Sequence, residues 1–357
     1  MLTLIYPILV AACIQAGGAW CWLLLPFNIL LVPAVDHSLR WLAPGWRPSG
    51  ELLHALFAPG WFAIYAAAQA AVMMFAFLRL PEFWGQPVAF FGLASAIGIM
   101  TGTGGITASH ELMHRRTMWA QALGQFLLGC ASYMHFAAVH LRGHHRHVGT
   151  VRDPGTARLG ESFPAYLGRV MVTGVRWAWS LEATRLHRKK QSAWSTHNRF
   201  LRAGAFQLMV LLLILVAFGP NGLILFMLQS FIAVHLLEAV NYVQHYGLAR
   251  ASSRGGLVER VDGRHAWDSD YRLSELLVFN LPRHADHHID ASKTCAQLIV
   301  RPESPKLPLS FFLMVFLALI PPLWRALMDG RAVAWQEHGM ASTPRRPRLG
   351  HSHGALR

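Results

Sequence analysis

Six stretches of this sequence run close to a bilayer's depth with scarcely a charged side chain: residues 2–16, 18–35, 53–78, 87–109, 203–218 and 223–242. A hydrocarbon core about 30 Å thick takes roughly 20 helical residues to cross, and the six runs lie near that length. Composition agrees: 54% of residues are hydrophobic, 14% are charged and mean hydropathy is positive, more apolar content than one soluble core needs. The expected fold class is all-α integral membrane, a six-helix bundle. The formal charge of +14 points to a membrane surface and not to nucleic acid, because no nucleic-acid motif accompanies it and the basic residues flank the apolar runs. Cys13, Cys21, Cys130 and Cys295 include no CxxC pair, so no disulfide framework, zinc ribbon or fused rubredoxin-type centre is expected.

The runs fall into pairs. Gly17 and Gly18 separate the first two, and Gly219, Pro220, Asn221 and Gly222 turn the last pair into a hairpin. Residues 120–139 are apolar but carry Gln121, Gln125 and His135, which suits a helix lying at the interface. Residues 307–323 are broken by Pro308, Pro321 and Pro322 and read as a packed or monotopic element. Most of the Lys and Arg lie in 110–202 and 243–306; by the positive-inside rule both segments face the cytoplasm, and with six spans so do both termini. The first run lacks a basic leader and is expected to be retained in a multi-pass inner-membrane protein. One membrane domain over 1–335 is expected, followed by a basic, disordered tail over 336–357 that includes Arg345, Arg346, Arg348, His351 and His353.

Between these runs lie histidines in four clusters: His110-Glu-Leu-Met-His114, His140-Leu-Arg-Gly-His144-His145, Asn241-Tyr-Val-Gln-His245 and His284-Ala-Asp-His287-His288. Residues four apart on a helix share a face, so His110 with His114, and His140 with His144, direct two imidazoles at one point. His145 then points about 100° away, toward a second metal or a second side of one site. His284, His287 and His288 combine both helical spacings. Nine nitrogen donors exceed what one tetrahedral zinc uses and suit two iron ions with open positions. His110 and His245 stand where predicted spans leave the bilayer, where ionisable groups are poorly solvated and usually functional. Glu111, Glu238, Asn241, Asp268 and Asp286 are candidates to accept the second ring N–H of a ligand and fix its tautomer. His235, one turn from Glu238, is expected to pair with it.

HELMHRR from His110, HLRGHHRHVGTVRDP from His140, LEAVNYVQHYGL from Leu237 and LPRHADHHID from Leu281 resemble the alkane monooxygenase family of membrane di-iron hydroxylases, related to fatty acid desaturases. Weaker matches before residue 37 and at LALIPPLW extend the likeness over nearly the whole chain. The resemblance implies a six-helix membrane domain with a cytoplasmic histidine cap, two irons held by the nine histidines, and a substrate channel rising from the bilayer. It also implies terminal hydroxylation of a hydrophobic substrate, a medium-chain n-alkane, with O₂ and electrons from a separate rubredoxin-type or ferredoxin-type donor. Val139, His147 and Gln244 depart from residues common at those positions. The ligands are unaffected, and relatives that oxidise methyl groups of aromatics or convert fatty acids mark the alternative substrates. Asn28, polar within the second run, is either a channel residue or an interhelical hydrogen bond. Arg115, Arg116, Arg142 and Arg146 offer charge to an acidic electron donor or to lipid phosphate.

Two rivals are weaker. His110-Glu111-Leu-Met-His114 is a literal HExxH, the zinc-protease signature, and Met328-Asp329-Gly330 offers a distal aspartate, but that reading leaves the other histidine clusters unused. A transporter would place its polar residues at the span midplanes and not at their ends.

Overall fold

The computed structural model describes residues 1–252 and 257–342, the last five of these by backbone alone. Arg345, Arg346, Arg348, His351 and His353 lie outside the described residues. Among the described residues no β-strand forms; Ser252 pairs with Val258 and Asp268 with Lys306 as isolated bridges.

Helices occupy all six apolar stretches. Ile5–Ala16 (α1) ends at Gly17, whose φ of 72° stops it. Gly18–Leu42 (α2), Pro59–Phe83 (α3) and Pro87–Met113 (α4) follow; proline at the start of α3 and α4 costs nothing, because an N–H there has no helical partner. Met118–Gly129 (α5) covers only the first part of the apolar stretch 120–139, which turns at 130–135; residues 136–147 form α6, and Phe163–Arg188 is α7.

The segment Arg199–His245 has 47 residues, which at 1.5 Å per residue would reach about 70 Å, more than twice a bilayer. It is two helices. Gly219 takes φ 67°, ψ −171° ahead of Pro220, and Gln207 and Gln229, which a straight helix would hold about 33 Å apart, both reach one turn. Gln207 Nε2 donates to Ser132 Oγ at 3.1 Å and Gln229 Nε2 to the Cys130 carbonyl at 2.7 Å. The predicted hairpin is therefore present, as α8 (199–218) and α9 (220–245).

Length and apolarity admit Gly18–Leu42, Gly50–Phe83, Pro87–Met113 and Arg199–His245 as crossings, with one more if Phe311–Ala318 (α12) and the helix from Pro321, bent by 118°, count as a broken span. The stretch 2–16 forms a helix shorter than a full crossing. Ile8, Leu30, Leu78, Val88, Leu213 and Val216 are each at least 60% exposed, an apolar surface that lipid covers. The final helix, Pro321–Ser342 (α13), runs past residue 335.

The core centres on α4, 83% buried along its apolar window. At Gly98 an added Cβ would lie 2.7 Å from Ile232 Cβ and 2.9 Å from the Gln229 carbonyl; only a missing side chain lets α4 and α9 close this far. Their far ends carry His110, His114 and His245. Asp36, near the end of α2, ties this bundle to the polar cap. Its Oδ1 accepts the N–H groups of Leu273 (2.8 Å) and Ser274 (3.2 Å), and its Oδ2 accepts the hydroxyls of Ser274 and Ser310 (2.8 Å for the latter). A carboxylate there satisfies the free donors at the N-terminus of Arg272–Leu277 (α10).

Candidate metal centre

Four segments carry the nine candidate histidines, and each is held from outside itself. Ser109 Oγ donates to the Gly124 carbonyl at 2.8 Å, pinning the end of α4 to α5 beside His110. His245 closes α9, with its Nδ1 3.3 Å from the His265 carbonyl. His284–Ile289 (α11) has six residues, too few to be stable alone. Asp268 Oδ1 accepts the Ala285 N–H at 2.8 Å, capping α11; Arg283 Nη2 pairs with buried Glu275 at 2.6 Å. Asp286 takes Lys293 Nζ at 2.9 Å, the Ile299 N–H at 3.0 Å and Arg301 Nε at 2.7 Å. In α6, residues His140–His144 are wound as a π-helical turn, clamped by Arg142, which reaches Glu182 of α7.

The structure brings all nine together as two groups: His110, His114, His140, His145 and His287 in one, His144, His245, His284 and His288 in the other, with donor atoms within 4.8 Å of one another in each. Nε2 atoms face inward at 2.9 Å for His140–His145, 3.1 Å for His145–His287, 3.2 Å for His114–His140, and 3.0 Å for both His245–His284 and His284–His288. Bonds of about 2.1 Å from one ion, at right angles, set two nitrogens about 3.0 Å apart, and tetrahedral angles about 3.4 Å. The spacing fits ions with more than four positions. His110 Nε2 and His144 Nε2 are buried without a hydrogen-bond partner, which a metal bond would satisfy. Burial first, then neighbouring imidazoles, keep His140, His145, His284, His287 and His288 well below the usual imidazole range; burial and Arg115 bring His114 down to about 3. Neutral imidazole is the form that binds metal.

The π turn regroups the α6 histidines. An α-helix would set residues five apart about 140° away from each other, whereas an i→i+5 turn brings them to one side. His140 therefore joins His145, and His144 belongs to the other group, the reverse of the pairing expected from α-helical spacing.

The supporting groups also differ from expectation. None of Glu111, Glu238, Asn241, Asp268 and Asp286 accepts from a candidate histidine ring. Glu111 takes Arg115 and the Cys295 N–H (3.2 Å), Glu238 takes Tyr133 (2.9 Å), Tyr166 (3.0 Å) and Asn241 (3.2 Å), and the two aspartates brace α11. Ring partners are instead the His265 carbonyl and Asp153, whose Oδ2 lies 2.8 Å from His144 Nδ1. Asp153 was available in the HLRGHHRHVGTVRDP stretch, nine residues beyond His144, but loop spacing carries no angular rule that would single it out. Although burial alone would raise it, His144 and the Thr156 hydroxyl hold the Asp153 carboxyl below the usual range. His235 bonds the Phe231 carbonyl of its own helix (2.7 Å) and does not reach Glu238, whose oxygens are filled by two tyrosines. Glu111 faces away from the HExxH site and Asp329 binds Tyr246, so neither is placed as a protease would need.

An apolar cavity of about 40 Å³ is lined by Thr107, Val240 and Leu281, which lie close to the histidines in sequence, and by Asn28, Ile99 and Phe312 among others. Thr107 is one helical turn from His110, and Leu281 three residues from His284. Asn28 lines this cavity while its amide accepts from Tyr6 of α1 (2.6 Å) and donates to the Leu24 carbonyl of its own helix (2.8 Å).

The class these features define is a membrane protein that has an apolar cavity and buried neutral imidazoles able to hold metal. Known sequences agree. The fatty acid desaturase family model matches residues 87–298. Alkane 1-monooxygenase 1 of Pseudomonas aeruginosa is 34% identical over 353 residues, covering 90% of this chain and 92% of its own, and alkane 1-monooxygenase 2 of Alcanivorax borkumensis is 33% identical over 326 residues, covering 89% and 84%. The hydroxylase component of a Pseudomonas putida xylene/toluene monooxygenase is 29% identical over 317 residues, covering 87% and 82%. This chain belongs to the alkane 1-monooxygenase family, an O₂-dependent group of membrane oxidoreductases.

Proposed function

We propose that this chain is a membrane monooxygenase that hydroxylates the terminal methyl group of a medium-chain n-alkane. The observation carrying the reading is an apolar cavity whose lining includes Thr107 and Leu281, three residues in sequence from His110 and His284, one member of each histidine group. Its lining holds no Lys, Arg or His; a fatty acid entering it would bury a carboxylate without a partner, so a hydrocarbon is favoured. From Ile99 to His110 along α4 is about 16 Å, a length suited to a medium chain.

His110, His114, His140, His145 and His287 would hold one iron, and His144, His245, His284 and His288 the other. Two ferrous ions, when bound, supply the reduction of O₂ and the attack on an unactivated C–H bond. The chain's own residues do the rest. Asp153 accepts from His144 Nδ1, leaving Nε2 free to ligate and the ring fixed. The His265 carbonyl does the same for His245. Phe312, Val315 and Leu281 confine the substrate chain and keep water from the reacting carbon. Six crossings, α1 included, would put the histidine cap and both termini on the cytoplasmic side of the inner membrane, where a rubredoxin-type or ferredoxin-type donor is reached.

Incubation of iron-loaded protein and reduced donor with octane, xylene and dodecanoate, with products identified by mass spectrometry, tests the reading. Octan-1-ol as the main product is expected; 1-undecene alone would overturn it.

A further inference from the structure

The histidine cap presents one face on which basic charge backs directly onto a ligand segment. Trp177, half-buried on α7, packs its six-membered ring over Gly143, so closely that a Cβ on Gly143 would come within 2.5 Å of Cη2. Gly143 stands in the π turn next to His144, and the Trp177 ring lies 5.9 Å from that of His147. On its outer side Trp177 forms the floor of a groove of about 400 Å³ between the 151–158 loop and α7. Arg152, Arg158 and Arg176 line this groove, are exposed, and form no salt bridge among the described residues. The nearby acids are already engaged: Glu161 by Arg169, Asp153 by His144, and Glu182 by Arg142 and Arg185. Net positive charge is thus left free at the groove.

Resting on the hydroxylase reading, the geometry points to this groove as the docking site of an acidic one-electron-carrier protein, with Trp177 conducting each electron to the ligand turn. Hydroxylation takes R–H, O₂, two electrons and two protons to R–OH and water. The donor supplies the electrons one at a time and leaves oxidised, and solvent supplies the protons. In this reading the electrons enter from a separate carrier protein. Of the arginines nearest the histidines in sequence, Arg115 is tied to Glu111 and the Lys293 carbonyl, and Arg142 to Glu182. They hold the fold; Arg116 and Arg146 are exposed and form no salt bridge among the described residues, but neither lines the groove, whose unpaired charge is that of Arg152, Arg158 and Arg176. Lipid phosphate would be satisfied by arginine anywhere on the rim and would have no use for an aromatic ring seated on the turn that carries His144.

The test follows oxidation of an acidic rubredoxin by its visible absorbance when mixed with iron-loaded enzyme in nanodiscs, beside reduction by dithionite with methyl viologen, which needs no docking. Arg152→Glu, Arg158→Glu and Arg176→Glu together should lower the second-order rate constant with rubredoxin about 10–100-fold at about 20 mM salt, with the gap closing toward about 0.5 M as screening removes the steering. Reduction by methyl viologen and iron content should stay within about twofold of the parent. Trp177→Leu should slow electron transfer at saturating rubredoxin without weakening its binding, and Trp177→Phe should restore most of the rate. An unchanged rubredoxin rate in the triple variant at low salt would overturn the proposal, as would an equal loss with both reductants, which would mark the arginines as lipid anchors or braces. Electron transfer without any oxidised hydrocarbon would leave the docking site standing and remove the hydroxylase reading instead.

Discussion

Replacing Glu182 by Gln is a sensitive probe of how the cap is held. Its side chain is fully buried, and burial alone would raise its pKa. Hydrogen bonds from Arg185 (2.7 Å), the Arg199 N–H (3.1 Å) and Arg142 override that and hold it down to about 2, against an ordinary 4.5. At about 1.4 kcal/mol per pH unit the lowering corresponds to about 3 kcal/mol favouring the folded state, and screening at half-exposed Arg142 brings this toward about 2 kcal/mol. The sign follows from a depressed carboxylate: the contribution is complete above about pH 4.5 and is lost as pH falls toward 2. Thermal unfolding in detergent, parent against Glu182→Gln, should show the parent more stable by about 2–3 kcal/mol from pH 7 to 5, with the difference shrinking below pH 4.5. Because Arg142 sits between His140 and His144, the variant should also load less iron at neutral pH. A stability difference under about 0.5 kcal/mol at pH 7, or one that persists unchanged to pH 3, would refute the account.

Other expectations follow from single contacts. His144→Ala removes one of four inward nitrogens from the smaller group and should leave about one iron per chain by elemental analysis and no hydroxylation; two irons with full turnover would contradict its role. Asp153→Asn should release iron to a chelator about 10–100-fold faster, since a neutral amide is a weaker acceptor for His144 Nδ1 and can also turn its NH₂ toward the ring, so the tautomer is no longer fixed. Val315→Phe fills the apolar cavity, so the product profile across hexane to dodecane should move to shorter chains with iron content unchanged; a profile identical to the parent's would place the substrate elsewhere.

Apolar length and histidine spacing made the helices and the nine inward-facing residues legible, because both are written in short-range periodicity. Grouping was not, since a π turn at His140–His144 alters which residues share a side and nothing in the local sequence announces it. Outer contacts were read least well. Glu111, Asp268 and Asp286 looked like ring partners by proximity in sequence, but six-residue α11 needs external braces, on which the two aspartates are spent, and Glu111 is taken by Arg115 and the Cys295 N–H. Asp153 acts across a loop, where contact depends on tertiary folding. The crossing count was uncertain for a physical reason too: α1 is apolar throughout yet shorter than a bilayer's depth, and α12 with α13 is bent.

Asp36 sets a limit on how this protein can be divided. The buried carboxylate that closes the N-terminus of α10 belongs to a membrane helix, so the polar cap is unfinished without lipid-embedded chain. An excerpt keeping residues 110 to 288 would lack that carboxylate and expose the free donors of α10 to competition from water. Redesigns that move the histidine centre onto a soluble scaffold need to replace Asp36 as well as the ligands.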